Sequence, residues 1–315
     1  MNAAGSPRVV RAFLVGPTGV GKTDVALIVA ARTGAEIISV DSRQIYRGLE
    51  IGTAKPTAAQ RRRVPHHLID LLDPRDRCSA GQFVDLFLDV VTQLASRGVP
   101  GLAVGGAGLY VDACLGRIHP LPPANEELRG RYMEIARREG PAALHGRLQR
   151  VDPKTAARLA PRDLQRITRA LEVAELTGTP MSERFSGPAE GACPADTSLI
   201  YLTRERRDLY ERIEARCRAM VEAGLPQEVR RLLESGLHRG APGLKTVGYT
   251  EWARWALGEC DRSEAMELFV RNSRRYAKRQ ETWFRNRHPQ RIEIRIAAGE
   301  APEATAERIL QLLPA

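Results

Sequence analysis

The sequence contains few cysteines, and their spacing does not favour the common cysteine-based sites. Five cysteines are scattered over 315 residues, and no two of them form a C-x-x-C pair. An odd, dispersed set is typical of free thiols in a reducing cytosol and does not favour a zinc site. The adjacent pair His66-His67 has no third ligand at a metal-binding spacing, so we assign it no catalytic role.

Long apolar segments are also absent. No stretch reaches the length of a membrane-spanning helix, and the first apolar run, Val9–Val15, contains Arg11 and leads directly into Gly16, unlike a signal peptide. Internal repeats and low-complexity tracts are missing as well. We therefore expect an ordinary soluble, cytoplasmic protein without membrane contact, and nothing in the sequence indicates an obligate protein partner.

The chain carries an excess of positive charge. Lysine and arginine number 48 against 38 acidic residues, a formal net charge of +10, and 43% hydrophobic residues can fill a core. A field of this sign speeds and strengthens encounter with polyanions. We expect a nucleic acid or another acidic surface as partner, and charge alone does not distinguish the two.

Short apolar runs alternate with helical patterns in the first part of the chain. These runs are Val9–Val15, Glu36–Val40, His67–Ile69 and Leu102–Val104. The alternation predicts an α/β fold with a parallel sheet flanked by helices, in which ligands bind beyond the carboxyl ends of the strands. Proline-punctuated, arginine-rich helical patterns then follow at Glu126–Glu139, Pro141–Val151 and Asp163–Thr177, until Ser198–Leu202 returns to a strand pattern. We predict a P-loop NTPase-like core from residues 1–116 and 198–315, interrupted by an inserted all-helical domain at residues 117–197.

The segment after the first apolar run has the pattern of a phosphate-binding loop. It satisfies G-x-x-x-x-G-K-[ST] and lies between a strand pattern and a helical pattern, the context that this motif requires. Backbone N–H groups can converge on phosphate oxygens there, Lys22 adds a charge, and the Thr23 hydroxyl is suited to hold Mg²⁺. The predicted diphosphate-binding residues are Gly16, Pro17, Thr18, Gly19, Val20, Gly21, Lys22 and Thr23.

The carboxylate that would complete an ATP-hydrolysing site is missing from its expected place. The strand pattern that ends at Val104 continues into Gly105-Gly106, where a kinase or ATPase would carry a metal-binding aspartate. The acid at a strand end is instead Asp41. Its position is compatible with a metal ligand, a general base or a helix N-cap, and position alone leaves these roles open.

Several motifs, taken in order, resemble those of the tRNA dimethylallyltransferase family. The phosphate loop alone is shared by many nucleotide-binding enzymes, whereas the ordered set is highly specific and covers nearly the whole chain. The matching segments are Gly16–Thr23, Asp41–Tyr46, Ile51–Pro56, Pro65–Asp70, Val104–Tyr110, Asp163–Glu172, Lys245–Tyr249 and Lys278–Arg285.

The resemblance implies transfer of a dimethylallyl group from dimethylallyl diphosphate to N6 of adenosine 37, in tRNAs that read codons beginning with U. The loop would grip the diphosphate, with Mg²⁺ as cofactor, and no water-positioning acid would be needed. By the same resemblance Asp41 is the general base, Thr18 lies between the diphosphate and the acceptor, and Arg212 or Arg216 stabilises the leaving group. The adenine leaves its stack to react, and Gln44 is suited to read it by paired hydrogen bonds.

The resemblance also implies contacts with the tRNA anticodon stem-loop. The predicted contact residues are Asp41, Ser42, Arg43, Gln44, Ala107, Arg129, Gln165, Arg166, Ile167, Thr168, Arg169, Lys245, Gly248, Lys278, Arg279 and Arg285. Two of them depart from the family pattern. Arg43 stands where Met or Ala is common and is either a phosphate contact or a solvated side chain, and Ala107 lacks the usual threonine hydroxyl.

A helical pattern near the C-terminus combines a basic stripe with an apolar face. The basic positions are Arg271, Arg274, Arg275, Lys278 and Arg285, and the apolar positions are Met266, Val270, Ala277 and Phe284. Only Glu281 interrupts the stripe, which favours contact with RNA phosphates over a solvated face. For Arg212 and Arg216, four residues apart on one helix face, a solvated basic face remains the alternative.

Other classes of protein share part of these motifs. A prenyltransferase acting on free AMP, ADP or ATP would share the first blocks but would have little use for the helical insertion or the basic stripe. A small-molecule P-loop kinase would need ATP, and the missing aspartate counts against it. A non-catalytic RNA-binding protein would not need Lys22, Thr23 and Asp41 together.

Overall fold

The computed structural model describes residues 9–119, 121–184, 193 and 197–313. The chain divides into two compact units, Met1–Leu115 with Ala192–Ala315, and Gly116–Gly191. The insertion predicted at residues 117–197 includes residues 185–192 and 194–196, which lie outside the described part of the chain.

Within the described residues, six strands of the first unit form one parallel sheet. They are β1 (Val10–Val15), β2 (Glu36–Val40), β3 (His66–His67), β4 (Gly101–Gly105), β5 (Ser198–Arg204) and β6 (Ile292–Ile296). Their spatial order is β3-β2-β4-β1-β5-β6, and each adjacent pair is parallel. The central strands read as continuous apolar runs because a parallel sheet is covered on both faces. The α/β class predicted from the sequence is confirmed.

Helices connect and cover these strands. The described helices are α1 (Lys22–Thr33), α2 (Ala58–Arg63), α3 (Ala80–Ser96), α4 (Gly108–Cys114), α5 (Glu126–Glu139), α6 (Pro141–Val151), α7 (Pro153–Ala156), α8 (Leu164–Thr177), α9 (Met181–Arg184), α10 (Arg206–Glu222), α11 (Leu225–Glu234), α12 (Tyr249–Ala256), α13 (Arg262–Arg287) and α14 (Pro302–Leu310). No helix among the described residues is both long enough and apolar enough to cross a membrane.

Local capping explains where several of these helices begin and end. α1 starts directly after the phosphate loop and is closed by Gly34 in a left-handed conformation. A capping box of Ser79 and Gln82 opens α3. The longest helix, α13, begins at Asp261, whose side chain accepts the Glu264 N–H.

The second unit consists of helices α5 to α9 around its own small core. Leu144, Leu148, Ile167 and Leu171 are buried at its centre. The helices α5 and α6 have the bounds that the proline and glycine punctuation predicts, because Asn125 caps one and Pro141 opens the other. An all-helical unit at this place in the chain agrees with the sequence pattern.

The topology of the sheet determines where a ligand can bind in the first unit. All strands run in one direction, so their carboxyl ends lie along one edge. The phosphate loop follows β1, Asp41 follows β2, and Gly106 follows β4 at this edge. Residues far apart in the sequence are thereby brought to one place.

Candidate active site

A cavity of about 660 Å³ lies at the carboxyl edge of the sheet. The loops that follow β1, β2 and β4 contribute to its wall, together with α10, α13 and the loop before α12. Thr18, Lys22, Asp41 and Arg216 all line it. The structure therefore brings the phosphate loop, the candidate base and a candidate arginine into one cavity.

A glycine in the phosphate loop allows α10 to pack closely against it. Gly19 has a φ of 83°, and a Cβ atom built there would lie 2.8 Å from Cγ1 of Ile213, which is buried. Any larger residue would be strained and would push the helix away. Because Ile213 lies between Arg212 and Arg216 on α10, this contact brings both arginines beside the loop.

Both arginines donate hydrogen bonds to the loop, but their settings differ. Arg216 Nη1 donates to the Thr18 hydroxyl at 3.2 Å, and burial in the cavity lowers the pKa of Arg216 below its usual range. Arg212 is exposed, and its Nε donates to the Gly19 carbonyl at 3.1 Å. Neither side chain belongs to a freely solvated face, and Arg216 reaches further into the cavity.

Lys22 folds back onto the loop that it follows. Its Nζ donates to the carbonyls of Gly16 and Pro17, each at 2.8 Å. Burial, followed by repulsion from the Arg216 guanidinium, lowers the pKa of Lys22 to about 7, and Asp41 only partly offsets this. A diphosphate placed in the loop would supply the negative charge that favours the protonated amine.

Asp41 forms a turn with the residues that follow it. Its Oδ1 accepts the N–H of Arg43 at 2.8 Å and the N–H of Gln44 at 3.4 Å. Residues 42–45 form turns rather than a helix, so Asp41 caps a turn and not a helix. None of the described residues donates a hydrogen bond to Oδ2, and this second oxygen stays open to an incoming proton donor.

Gln44 lines the cavity, but its amide is engaged with protein. Its Oε1 accepts from the Ser39 hydroxyl at 2.9 Å, and its Nε2 donates to the carbonyls of Thr53 and Ala54 at 3.3 and 3.2 Å. Paired hydrogen bonds with an adenine would have to replace these contacts. In this conformation Gln44 supports the loop rather than presenting a free amide.

The chain after Asp41 is held by a buried lysine that the sequence pattern did not identify. Lys55 donates to the Tyr46 carbonyl and to Glu50, each at 2.7 Å, and forms an ion pair with Asp70. Only 1% of its side chain is exposed. A buried, fully paired lysine fixes the loop that carries Asp41 and Gln44.

Other residues at the site were also missed. Arg204, at the end of β5, is buried and supports the phosphate loop by donating to the Val20 carbonyl at 2.8 Å. Tyr276 and Gln280 of α13 line the cavity, and burial raises the pKa of Tyr276. The sequence contains one indication that Gln280 differs from its neighbours, because it is a neutral amide within the charged run Lys278-Arg279-Gln280-Glu281.

The predicted tRNA contacts in the first unit fall into two groups. Lys245 and Arg279 are exposed and line the cavity, and Arg43 lines it while donating to the Pro242 carbonyl at 3.1 Å. Gly248 is buried, and its N–H donates to Glu251 at 2.6 Å, so contact of this residue with RNA is not supported by its position. Ser42 and Ala107 are both half-buried.

The basic stripe of α13 is mostly exposed, with one exception. Arg271, Arg275, Lys278 and Arg285 face solvent, whereas Arg274 forms an ion pair with Glu214 at 2.7 Å and lies over the Tyr210 ring. Arg274 is therefore partly covered by α10, and its contact with RNA stays a prediction. On the apolar face, Ala277 and Phe284 are buried while Met266 and Val270 are half-buried.

Several predicted contacts in the second unit have structural partners of their own. Arg129 and Arg169 both pair with the fully buried Glu172, at 3.1 and 2.5 Å. Ile167 and Thr168 are buried, so their side chains pack inside the helical unit and their burial does not support contact with RNA. Two further predicted contacts are exposed on α8, namely Gln165 and Arg166.

The residues suited to hold a metal ion are few. Among the described residues, no group of three or more His, Cys, Asp or Glu side chains could form a metal site. Thr23 and Asp24 are exposed in the first turn of α1 and line the cavity. This donor set fits Mg²⁺, which usually binds through one or two protein oxygens, substrate phosphates and water.

Comparison with known proteins identifies the family. The model of the IPP transferase family matches residues 44–287, and that of the isopentenyl transferase family matches residues 10–70. The chain belongs to the IPP transferase family.

Relatives match over most of their own length. The chain is 45% identical to the tRNA dimethylallyltransferase of Halorhodospira halophila, over 92% of this chain and 94% of the relative. It is 44% identical to tRNA dimethylallyltransferase 2 of Syntrophus aciditrophicus, over 88% and 89%. The fold also matches the crystal structure of the full-length tRNA isopentenylpyrophosphate transferase from Bacillus halodurans, with a TM-score of 0.71. The sequences are 37% identical, and the match covers 97% of this chain and 95% of that one. The family resemblance found in the sequence motifs is thus confirmed.

Proposed function

We propose that this chain transfers a dimethylallyl group from dimethylallyl diphosphate to N6 of adenosine 37 in tRNAs that read codons beginning with U. The observation that carries this proposal is the single cavity lined by the phosphate loop, Asp41 and Arg216. One part of that cavity suits a diphosphate and the other suits an acceptor that must lose a proton. The family relationship supports the same reaction.

The diphosphate side of the cavity is built to stabilise a leaving group. When the C–O bond breaks, the diphosphate departs with the electron pair and its negative charge grows. Loop N–H groups, Lys22, Arg216 and Arg212 would meet this charge. Donors that are already in position stabilise the transition state without reorganisation.

The acceptor side requires a base. The exocyclic amine of adenine is conjugated with the ring and is a weak nucleophile, so removal of its proton helps the new N–C bond to form. Oδ2 of Asp41 is open to the cavity while Oδ1 holds the turn. Asp41 therefore accepts the N6 proton in our proposal, and Thr18 lies between the two substrates.

Mg²⁺ is part of the proposal. The Thr23 hydroxyl, with Asp24 beside it, would hold the ion against the diphosphate. When bound, Mg²⁺ would neutralise part of the charge on the leaving group.

Transfer to RNA, rather than to a free nucleotide, is supported by the charge around the cavity. Arg43, Lys245 and Arg279 line it, and the exposed stripe of α13 adds further cations. The net charge of +10 favours a large polyanion. We expect the anticodon stem-loop to occupy this surface, and we expect the protein to act in the cytoplasm.

The test offers labelled dimethylallyl diphosphate with three acceptors: an unmodified tRNA transcript, the same transcript with guanosine in place of adenosine 37, and AMP. We expect label in the first only. Label in AMP, or equal label in both transcripts, would contradict the proposal. A parallel reaction with labelled ATP tests whether the protein is a small-molecule kinase. Transfer of labelled phosphate to an acceptor would support that alternative.

A further inference from the structure

The side chain of Gln280 connects α13 to two loops of the active site, which follow the neighbouring strands β1 and β4. Its Oε1 accepts the backbone N–H of Thr18 at 2.8 Å, and its Nε2 donates to the Gly106 carbonyl at 2.9 Å. Only 6% of Gln280 is exposed. The phosphate loop after β1 and the chain after β4 are thereby tied to α13.

The chemistry of the two partners requires a primary amide. One partner is an N–H donor and the other is a carbonyl acceptor, so the bridging group must accept and donate at once. A carboxylate could accept from Thr18 but would face the Gly106 carbonyl with a second acceptor. A thioether such as methionine has a similar shape and offers neither strong contact.

The neighbouring glycine is adapted to this bridge. A Cβ atom on Gly106 would lie 2.2 Å from Nε2 of Gln280 and 3.1 Å from the Gly16 carbonyl oxygen. The 2.2 Å approach is too close for a carbon atom and the 3.1 Å approach is tight, so alanine at position 106 would displace the amide. Gly106 and Gln280 therefore depend on one another.

The bridge acts on the residue that lies at the reacting bond. The Thr18 hydroxyl already accepts from Arg216, so the Thr18 main chain and side chain are held from two sides. The Thr18 N–H is used by Gln280 and is not offered to the diphosphate. Lys278 and Arg279, predicted to contact tRNA, immediately precede Gln280 on the same helix.

We propose that Gln280 is a positioning residue that fixes Thr18 at the reacting centre and links the tRNA-contacting helix α13 to the phosphate loop. Although Gln280 lines the cavity, its amide is engaged by Thr18 and Gly106, so we assign its effect to the position of Thr18. This inference rests on the proposed function for its kinetic consequence, but the bridge itself can be observed without any reaction.

The first experiment compares Gln280→Met with Gln290→Met, which makes the same change at an exposed position after α13. We expect the single-turnover rate of Gln280→Met, at saturating tRNA and dimethylallyl diphosphate, to fall about 10- to 100-fold, because small misplacements of reacting groups have effects of this size. Pyrophosphate affinity should change less than about threefold, since the other loop donors remain. A purely structural role would instead lower the folded fraction and leave the rate per pyrophosphate-binding site normal, which would overturn the proposal.

The second experiment is a double-mutant cycle with Gly106→Ala. If both substitutions break the same bridge, the double variant should react at about the rate of the slower single variant. If the two residues act independently, the two rate losses should multiply. Gly130→Ala is the matched control, because a Cβ atom there meets nothing within 4 Å. Multiplicative losses would contradict the bridge.

Hydrogen exchange provides a readout that does not depend on catalysis. The Thr18 amide should exchange slowly in the native chain and faster in Gln280→Met, with Gln290→Met unchanged. Equal exchange in all three would overturn the inference. If the native chain transferred nothing to tRNA, the proposed function would fail while the exchange experiment would still decide whether the bridge exists.

Discussion

Arg216 donates a hydrogen bond from Nη1 to the Thr18 hydroxyl at 3.2 Å, across 198 positions of the chain. The contact places a guanidinium beside the phosphate loop before any ligand is bound. Arg212 approaches the same loop from an exposed position, and its Nε donates to the Gly19 carbonyl. This difference separates two arginines that the sequence treats alike.

We expect Arg216→Gln to slow transfer far more than Arg212→Gln. Loss of one preorganised donor to a developing negative charge typically costs about 10²- to 10³-fold in rate. The exposed Arg212 is screened by solvent and should cost less. Single-turnover assays check this, with Arg207→Gln as the control on the same helix, because Arg207 is exposed and pairs with Glu211. Equal losses at both positions would argue against the special role of Arg216.

Asp41→Asn should retain the fold and lose most of the chemical step. Asparagine keeps Oδ1 for the N–H groups of Arg43 and Gln44, so the turn is preserved, but it cannot accept the N6 proton. Loss of a general base typically lowers the rate about 10²- to 10⁴-fold. Single-turnover transfer and circular dichroism are the measurements. A folded variant with a near-normal rate would refute Asp41 as the base and leave it as a turn-forming residue.

Binding of pyrophosphate should weaken as the pH rises above about 7. The pKa of Lys22 is lowered to about 7 in the free site, and a bound anion raises it again. Affinity is therefore full below pH 7, and it falls by up to about tenfold per pH unit above that value, until the pKa of the bound state is reached. Calorimetry at pH 8 in buffers of different ionisation enthalpy should detect proton uptake. In the control Lys22→Arg the side chain stays charged and should take up no proton. Any proton uptake that this variant shows comes from pyrophosphate itself and can be subtracted.

Salt should report which cations of α13 contact tRNA. Replacing Arg271, Arg275 and Lys278 by glutamine should weaken tRNA binding and flatten the log–log salt slope, by up to about 0.9 for each lost phosphate contact. Pyrophosphate binding should not change. The matched single variant Arg274→Gln should leave the slope nearly unaltered, because Glu214 and Tyr210 already hold that guanidinium. An unchanged slope in the triple variant would show that the stripe faces only solvent.

Local sequence signals predicted most of the core elements. The bounds of β2, α5 and α6 agree with the apolar runs and with the proline and glycine punctuation. The phosphate loop and Asp41 could be placed together, because carboxyl ends of parallel strands share an edge. The strand predicted at His67–Ile69 begins one residue earlier and ends two residues earlier, at His66–His67. The paired length depends on neighbouring strands, which a local pattern does not contain.

The parts of the site that could not be predicted depend on contacts between distant segments. Lys55 looks like one more surface lysine in the sequence, yet it is buried against Asp70 and the Tyr46 carbonyl. Arg274 belongs to a basic stripe by spacing, and its ion pair with Glu214 depends on the packing of α10 beside it. Helical periodicity predicts which residues share a face of one helix. It does not predict which other helix will pack against that face.

The long separation between Thr18 and Gln280, 262 positions in the chain, has a consequence for synthesis on the ribosome. The helical unit is built from local contacts and can fold early, as the chain emerges. β1, in contrast, must wait for β5 as one of its two neighbours, and the cavity must wait for α13. A nascent chain therefore carries a central strand that can pair with β4 on one side but has its other side unpaired until β5 has been made. It acquires the ability to bind its substrates only after nearly all of the residues described have been made.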